Sequence, residues 1–375
     1  MKNITIMGGG VLGSQIAFQA AYCGFDVTIW LRSKGSIGRT QPKLDSIKQS
    51  YINAINLMDI DKSINTWCMG IAGYDDFDKE NCLEKVERAY STIKLELDMK
   101  TAVKDADLVI ESMTENMEAK KDVYTKMAPL LPDKTILVTN SSTMLPSKLA
   151  KFTGRPDKFL ALHFANTIWK NNMTEVMMQN KTNKAYFDEI MKFAKEIRMI
   201  PLPVNKEKSG YLLNSMLIPL LFSGMDLMVN GISDPESIDK AWTLGTGAPK
   251  GPFQILDTVG LKTAYEIVGM YVKIPGFLAP YNFKGMHKML KSYIDQGKLG
   301  YSTGEGFYRY KKKLLSNNKC QECKLLALLL GNFFEISKYF FASLATASSE
   351  ISCSYSKITL SLRFDIANSA FLLKK

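Results

Sequence analysis

The sequence predicts an α/β N-terminal domain on a doubly wound, mostly parallel sheet, followed by an all-α C-terminal domain. Three observations carry this reading. A spaced glycine triplet joins the first apolar run to a helix-compatible stretch, and short apolar runs then alternate with helical stretches up to about residue 200. Beyond that point the apolar segments keep helical length.

The first run, Asn3 to Met7, fits a buried strand and meets Gly8, Gly10 and Gly13 at G-x-G-x-x-G spacing, with Val11 and Leu12 opening the helix. Gly8 allows a tight turn, Gly10 lets backbone N–H groups approach a pyrophosphate, and Gly13 lets helix and strand pack closely, as in a Rossmann-type dinucleotide site. The positive end of the helix then faces the phosphates. A second strand follows over Asp26 to Leu31. An acidic residue expected at its end, to hold the adenosine ribose of NAD, is replaced by Leu31 with Arg32-Ser33-Lys34 behind it. Arg32 suits a 2′-phosphate, which leans the cofactor toward NADP; the other reading is a solvated loop charge.

Residues 33–92 form an unusually long connection, with helices expected near 40–58 and 77–91. Residues 43–57 place apolar groups at helical spacing, which fits either an arm over a substrate cleft or extra core. Further strands are expected at 93–97, 107–111, 134–138 and 159–163. Ligands of such sheets bind outside the carboxyl ends of the strands, where Gly10, Glu111, Asn140 and His163 fall. The prolines of Ile200-Pro201-Leu202-Pro203-Val204 mark the break, giving a dinucleotide-binding domain over 1–200 and a helical domain over 201–310. Its helices are expected at 209–229, 235–244, 260–271 and 284–296, with Met216, Leu217, Leu220 and Leu221 in a core or dimer seam.

Composition fits a cytoplasmic enzyme of more than one domain: 375 residues exceed what one core usually organises, and no secretion signal is visible. Six cysteines form no secreted framework; Cys23, Cys68 and Cys82 read as free thiols, and no metal site is expected. The net charge is +11, but residues 311–375 hold ten Lys/Arg against four Asp/Glu, so +6 of it belongs to this tail. The remainder suits a polyanionic ligand or an ordinary surface, without the basic-aromatic interleaving of a nucleic-acid binder. The tail carries Lys311-Lys312-Lys313, a lone C-x-x-C at Cys320 and Cys323, and an apolar stretch from Leu325 to Ala347. Asn332, Glu335, Ser337 and Lys338 interrupt that stretch and argue against a membrane span; the tail reads as an extension of unknown role, whose abrupt change of character an aberrant addition explains better than a membrane span.

The chain has two histidines. His163 opens His163-Phe164-Ala165-Asn166 and stands twelve residues before Glu175. A histidine held by a carboxylate takes and returns a proton near neutrality, so the pair together with a dinucleotide cleft points to oxidation of a hydroxyl to a ketone, or the reverse. The second, His287, falls within an expected helix and reads as structural or surface.

Six separated motifs carry a resemblance. They are Glu115-Asn116-Met117-Glu118-Ala119-Lys120, Thr139-Asn140-Ser141-Ser142-Thr143, His163-Phe164-Ala165-Asn166 with Glu175, Gly210-Tyr211-Leu212-Leu213-Asn214, the run from Gly251 to Asp257, and the run from Gly300 to Tyr308. In order and spacing the chain resembles the L-3-hydroxyacyl-CoA dehydrogenase family over about residues 1–310. The resemblance implies NAD as cofactor, His163 as general base oriented by Glu175, Ser142 and Asn214 as hydrogen-bonding groups near the substrate, Glu115 and Lys120 lining the cofactor cleft with Asn140, and a homodimer. After Asn166 the sequence departs from the family's proline and apolar stretch: Thr167 to Thr174 is polar and carries Trp169 and Asn171. If these face the acyl pocket, long chains are disfavoured and a short 3-hydroxyacyl-CoA is the expected substrate. A CoA-free hydroxy acid, and a non-catalytic nucleotide-binding role, stay as alternatives.

Overall fold

The computed structural model describes residues 1–310, so the expectations for the tail lie outside the described residues. Eight strands form one sheet: β1 (Asn3–Met7), β2 (Asp26–Trp30), β3 (Lys94–Glu96), β4 (Leu108–Glu111), β5 (Ile136–Thr139), β6 (Phe159–Phe164), β7 (Met173–Met177) and β8 (Ile200–Val204). Their order is β3-β2-β1-β4-β5-β6-β7-β8, and every neighbouring pair is parallel except β6 with β7. The chain reverses direction across the sheet between β1 and β4, which opens a crevice at their carboxyl ends. Central strands such as β4 and β5 are buried along their whole length, as expected where helices cover both faces.

β7 was not among the expected strands. Met173 and Thr174, read as the end of a polar loop, instead open a strand that pairs antiparallel with β6. The segment Ile200 to Val204, where the break was expected, is the last strand of the sheet and pairs along its whole length with β7. Pro201 and Pro203 are tolerated there because β8 is an edge strand.

The long insertion is two helices, α2 (Lys34–Ile60) and α3 (Lys79–Thr92), after α1 (Val11–Tyr22). Leu44, Ile47, Tyr51, Ile55 and Met58 recur at helical spacing and join the main core, as the extra-core reading has it, while the adjoining face of α2, with Lys43, Ser46, Ser50 and Leu57, walls a cavity. Buried Gln19 of α1 fixes this layer by donating to the carbonyls of Gly70 (2.8 Å) and Ile197 (3.0 Å).

The C-terminal part is all-helical: α8 (Leu213–Val229), α9 (Pro235–Thr246), α10 (Pro252–Val259), α11 (Leu261–Gly269) and α12 (Phe283–Asp295), which follow α4 (Met99–Val103), α5 (Met117–Met127), α6 (Pro146–Ala150) and α7 (Lys184–Glu196) of the sheet domain. The helix expected from residue 209 begins at Leu213, because Gly210 (φ 81°) and Tyr211 (φ 52°) lie in the left-handed region and stop it. Of the four residues assigned to core or seam, Leu221 is buried and Leu217 packs against the helical core, whereas Met216 is 67% exposed. Asp239 closes the helical core. Its carboxylate accepts from the Phe253 (2.8 Å) and Gln254 (3.0 Å) amides at the start of α10 and from the Tyr308 hydroxyl (2.8 Å). No helix among the described residues is long and apolar enough to cross a membrane.

Asp239→Ala strands these buried donors, and a buried donor without a partner costs about 1–3 kcal/mol. Urea denaturation of the variant should show a loss of stability of at least this size, with an unchanged profile as the contrary outcome.

Candidate active site

Strand pairing explains the twelve-residue spacing. His163 on β6 lies directly opposite Glu175 on β7, and residues opposed across antiparallel strands put their side chains on the same face. His163 Nδ1 and Glu175 Oε2 are 3.0 Å apart, with the carboxylate fully buried and the imidazole side chain 12% exposed. The other carboxylate oxygen, Oε1, accepts from the backbone N–H groups of Leu212 (2.7 Å) and Leu213 (3.0 Å) at the start of α8. Burial pushes the Glu175 carboxyl upward, but the His163 contact and these two amides outweigh it and hold the group below the ordinary carboxylate value. With Nδ1 engaged, Nε2 is the ring nitrogen left for a ligand.

Asn140 and Ser142 sit in the turn after β5. Asn140 Oδ1 accepts from the Phe164 amide (3.0 Å), so it braces the strand end that carries His163. Glu115 holds the neighbouring turn: its carboxylate accepts from the Ser142 amide (2.8 Å) and the Ser141 hydroxyl (2.8 Å). Asn214 stands in the first turn of α8, on the segment anchored by Glu175. The structure thus ties the four expected catalytic residues into one region through His163–Glu175, the Glu115-held turn and the start of α8.

A cleft of about 420 Å³ lies over the glycine loop. Gly8, Gly10, Val11 and Leu12 form its floor, and Glu115 and Asn140 border its inner end. A Cβ on Gly13 would come within 2.2 Å of the Gly8 carbonyl oxygen, so this position requires glycine for helix–strand packing. A Cβ on Gly10 would meet nothing nearer than 4.0 Å, which leaves the backbone open toward the cleft. These features fit a bound dinucleotide pyrophosphate at the α1 N-terminus. At the outer end Leu31 is buried and offers no acceptor, while Arg32, Arg39 and Lys43 line the cleft. The last two were not singled out by the sequence; their place on the first turns of α2 becomes visible only because the helix starts at Lys34, well before residue 40.

Lys120 is a correction. Expected to line the cleft, it is 1% exposed and lies behind it, donating to Glu111 at 2.5 Å with Glu115 3.6 Å away. Burial disfavours its charge, yet the two carboxylates prevail and raise its pKa above the usual lysine value. Glu111 also accepts from Tyr124 (2.8 Å), Thr139 (2.8 Å) and the Met113 amide (2.8 Å). The resemblance implied a cleft residue; helical phase turns it inward.

A second cavity, about 570 Å³, adjoins the first at Val11 and Lys43 and runs between α2 and the turn after β6. Trp169 lines it and packs against Tyr51 of α2 (ring centroids 5.0 Å apart). Asn171 does not face it; its amide instead donates to the Asn166 carbonyl (2.8 Å) and closes the turn. His287 stacks on Tyr265 (3.9 Å) in the helical domain.

A glycine-loop cleft whose lining residue Asn140 also holds the strand end carrying a carboxylate-held histidine fits a nicotinamide-dependent oxidoreductase. Residues 3–208 match the 3-hydroxyacyl-CoA dehydrogenase NAD binding domain and residues 210–310 the C-terminal domain of the same enzymes, so the chain belongs to the 3-hydroxyacyl-CoA dehydrogenase family. It is 30% identical over 311 residues to human mitochondrial hydroxyacyl-coenzyme A dehydrogenase, covering 83% of this chain and 92% of the relative. Identity to the 3-hydroxybutyryl-CoA dehydrogenase of Clostridioides difficile is 29% over 310 residues, covering 83% of this chain and all of the relative. Among solved structures, a diketoreductase described as acting on dicarbonyl compounds superposes with a TM-score of 0.70 at 44% identity, over 83% of this chain and 99% of that one.

The depressed Glu175 value fixes the sign of a pH effect. The pair stabilises the fold above the ordinary carboxylate value, and that contribution drains away as pH falls from there through the lower folded value. Thermal melts should therefore show the parent losing Tm more steeply than Glu175→Gln as pH falls below the ordinary carboxylate value; parallel curves would contradict the assignment.

Proposed function

We propose that the protein interconverts a short-chain (S)-3-hydroxyacyl-CoA and its 3-oxoacyl-CoA, with His163 as general base in oxidation and general acid in reduction. The observation that carries this is the His163–Glu175 pair, on the strand end that Asn140 of the cleft lining holds through the Phe164 amide. The nicotinamide, when bound, supplies the hydride acceptor or donor. The residues of the chain handle the proton. Nε2 of His163 takes it from the substrate hydroxyl, and the Glu175 carboxylate on Nδ1 fixes the tautomer and offsets the charge that develops on the ring. Ser142, on the turn held by Glu115, and Asn214, in the first turn of α8, hydrogen-bond the substrate oxygens. Trp169 on the wall of the larger cavity limits acyl length by its volume.

A second reading, a CoA-free dicarbonyl or 3-hydroxy acid substrate, is supported by the 44% identity to the diketoreductase, which exceeds that to the human dehydrogenase. A non-catalytic role leaves the buried His163–Glu175 pair without purpose. We read Arg32, with Arg39 and Lys43, as a seat for a 2′-phosphate, favouring NADP over NAD. The exposed Leu213, Met216, Leu227 and Trp242 of the helical domain form the seam of a homodimer, and a monomer mass in light scattering would remove this part.

Reduction of acetoacetyl-CoA and of a CoA-free dicarbonyl compound, each with NADH and NADPH, separates the substrate readings. His163→Gln should lower kcat by about 10²–10⁴-fold while cofactor binding persists; turnover near the parent's would sink the mechanism. Arg32→Glu should raise the KM for NADPH by about tenfold and leave that for NADH nearly unchanged. Equal KM changes for both cofactors would assign Arg32 to the solvated surface.

A further inference from the structure

The turn that opens the helical domain contains a group the reaction scheme does not use. Tyr211 is 1% exposed, and its ring stacks on the imidazole of His163 with centroids 4.6 Å apart and planes at 21°. Its hydroxyl donates to the Ser141 carbonyl at 2.6 Å. The backbone pays for this placement in conformation: φ of Tyr211 is 52°, a region that a bulky side chain rarely occupies, next to Gly210 at 81°. Strain of this kind persists only where the surroundings enforce it.

From these contacts we infer that Tyr211 is a positioning residue for the reaction, holding the His163 ring from its face and the Ser141–Ser142 turn from behind. This rests on the reading of His163 as the proton-transferring group. Three restraints on the imidazole then act in different directions. Glu175 fixes Nδ1 within the ring plane, the strand backbone fixes the Cα, and Tyr211 stops the ring from rotating out of the plane that aims Nε2. The phenol does a second task. Ser142 is fixed by Glu115 through its own amide, and the preceding carbonyl is fixed by Tyr211, so the turn is pinned from both sides. Because the next two amides, of Leu212 and Leu213, hold Glu175, one short segment orients both members of the proton-handling pair.

The two histidines make the geometry directly observable. An imidazole lying on an aromatic face has its ring protons shifted upfield. In the full chain, ring resonances of His163 should move downfield in Tyr211→Leu and stay near the parent position in Tyr211→Phe, while His287, stacked on Tyr265 far along the chain, gives a resonance that neither substitution moves. In steady-state reduction of whichever substrate the parent turns over, Tyr211→Phe should lose about threefold to tenfold in kcat through the freed Ser141 carbonyl, and Tyr211→Leu about a hundredfold, with the dissociation constant of reduced cofactor by fluorescence unchanged in both. Tyr211→Phe keeps the ring and the fold, so it decides the matter if the leucine variant fails to fold. A kcat within twofold of the parent in Tyr211→Phe, together with either the same result or no folded protein for Tyr211→Leu, overturns the proposal. So does a His163 resonance that does not move in folded Tyr211→Leu. A parent protein that turns over neither the thioester nor the free dicarbonyl overturns the reading of His163 itself, and the resonance shifts still report on the stacking.

Discussion

Everything in the site hangs on one buried carboxylate with two commitments. Glu175 gives one oxygen to His163 and the other to the first amides of α8. Removing a carboxylate from water is costly unless its lone pairs are met, and here an imidazole and two backbone donors meet them. The consequence reaches beyond the histidine. The amides at a helix start lack partners within their own helix, so Glu175 also satisfies part of the α8 N-terminus and joins the sheet domain to the helical one. A change in how the helical domain sits on the sheet would be felt at Nδ1 of His163 without any intermediary.

A second buried network lies on the other side of the cleft. Glu111 ends the β4 strand at the point where the sheet reverses direction, and Lys120, Tyr124 and Thr139 surround it. Such a cluster adds little net stability over an apolar one, but breaking it by removing a single partner is expensive. Its value lies in placement. Glu111 fixes the β4 end, and Lys120 reaches from it to Glu115, whose carboxylate holds the Ser141–Ser142 turn. The serine turn is thereby set against a frame in which one buried lysine bridges two carboxylates.

Much of this was legible in the amino-acid order. The parallel strands announced themselves because they are buried on both faces and read as continuous apolar runs, and the glycine spacing carries its own steric reason. β7 escaped notice because it is five residues long and ends a polar turn; its identity as a strand comes from pairing with β6, a contact that no local pattern encodes. Lys120 was misplaced for a related reason: a motif gives position along a helix but not the direction of a side chain in three dimensions. Tyr211 was concealed within a run that looked uniformly helical, since left-handed backbone at a non-glycine residue leaves no trace in composition. Arg39 and Lys43 became site residues only once α2 was seen to begin at Lys34 and to run through Pro42.

The antiparallel pairing of β6 with β7 has an implication for how this enzyme can change over time. Side chains alternate faces along a strand, so sliding β7 by one residue against β6 would carry Glu175 to the opposite surface of the sheet and leave His163 facing Thr174 or Val176. The turn from Ala165 to Asn172, by contrast, forms a wall of the larger cavity at Thr167, Trp169 and Lys170. Residues can be exchanged, added or lost at its tip while the paired strands keep their register. The hairpin therefore separates what pairing holds fixed from what is free to vary, and places the cavity-lining turn and the His163–Glu175 pair within one short stretch of chain.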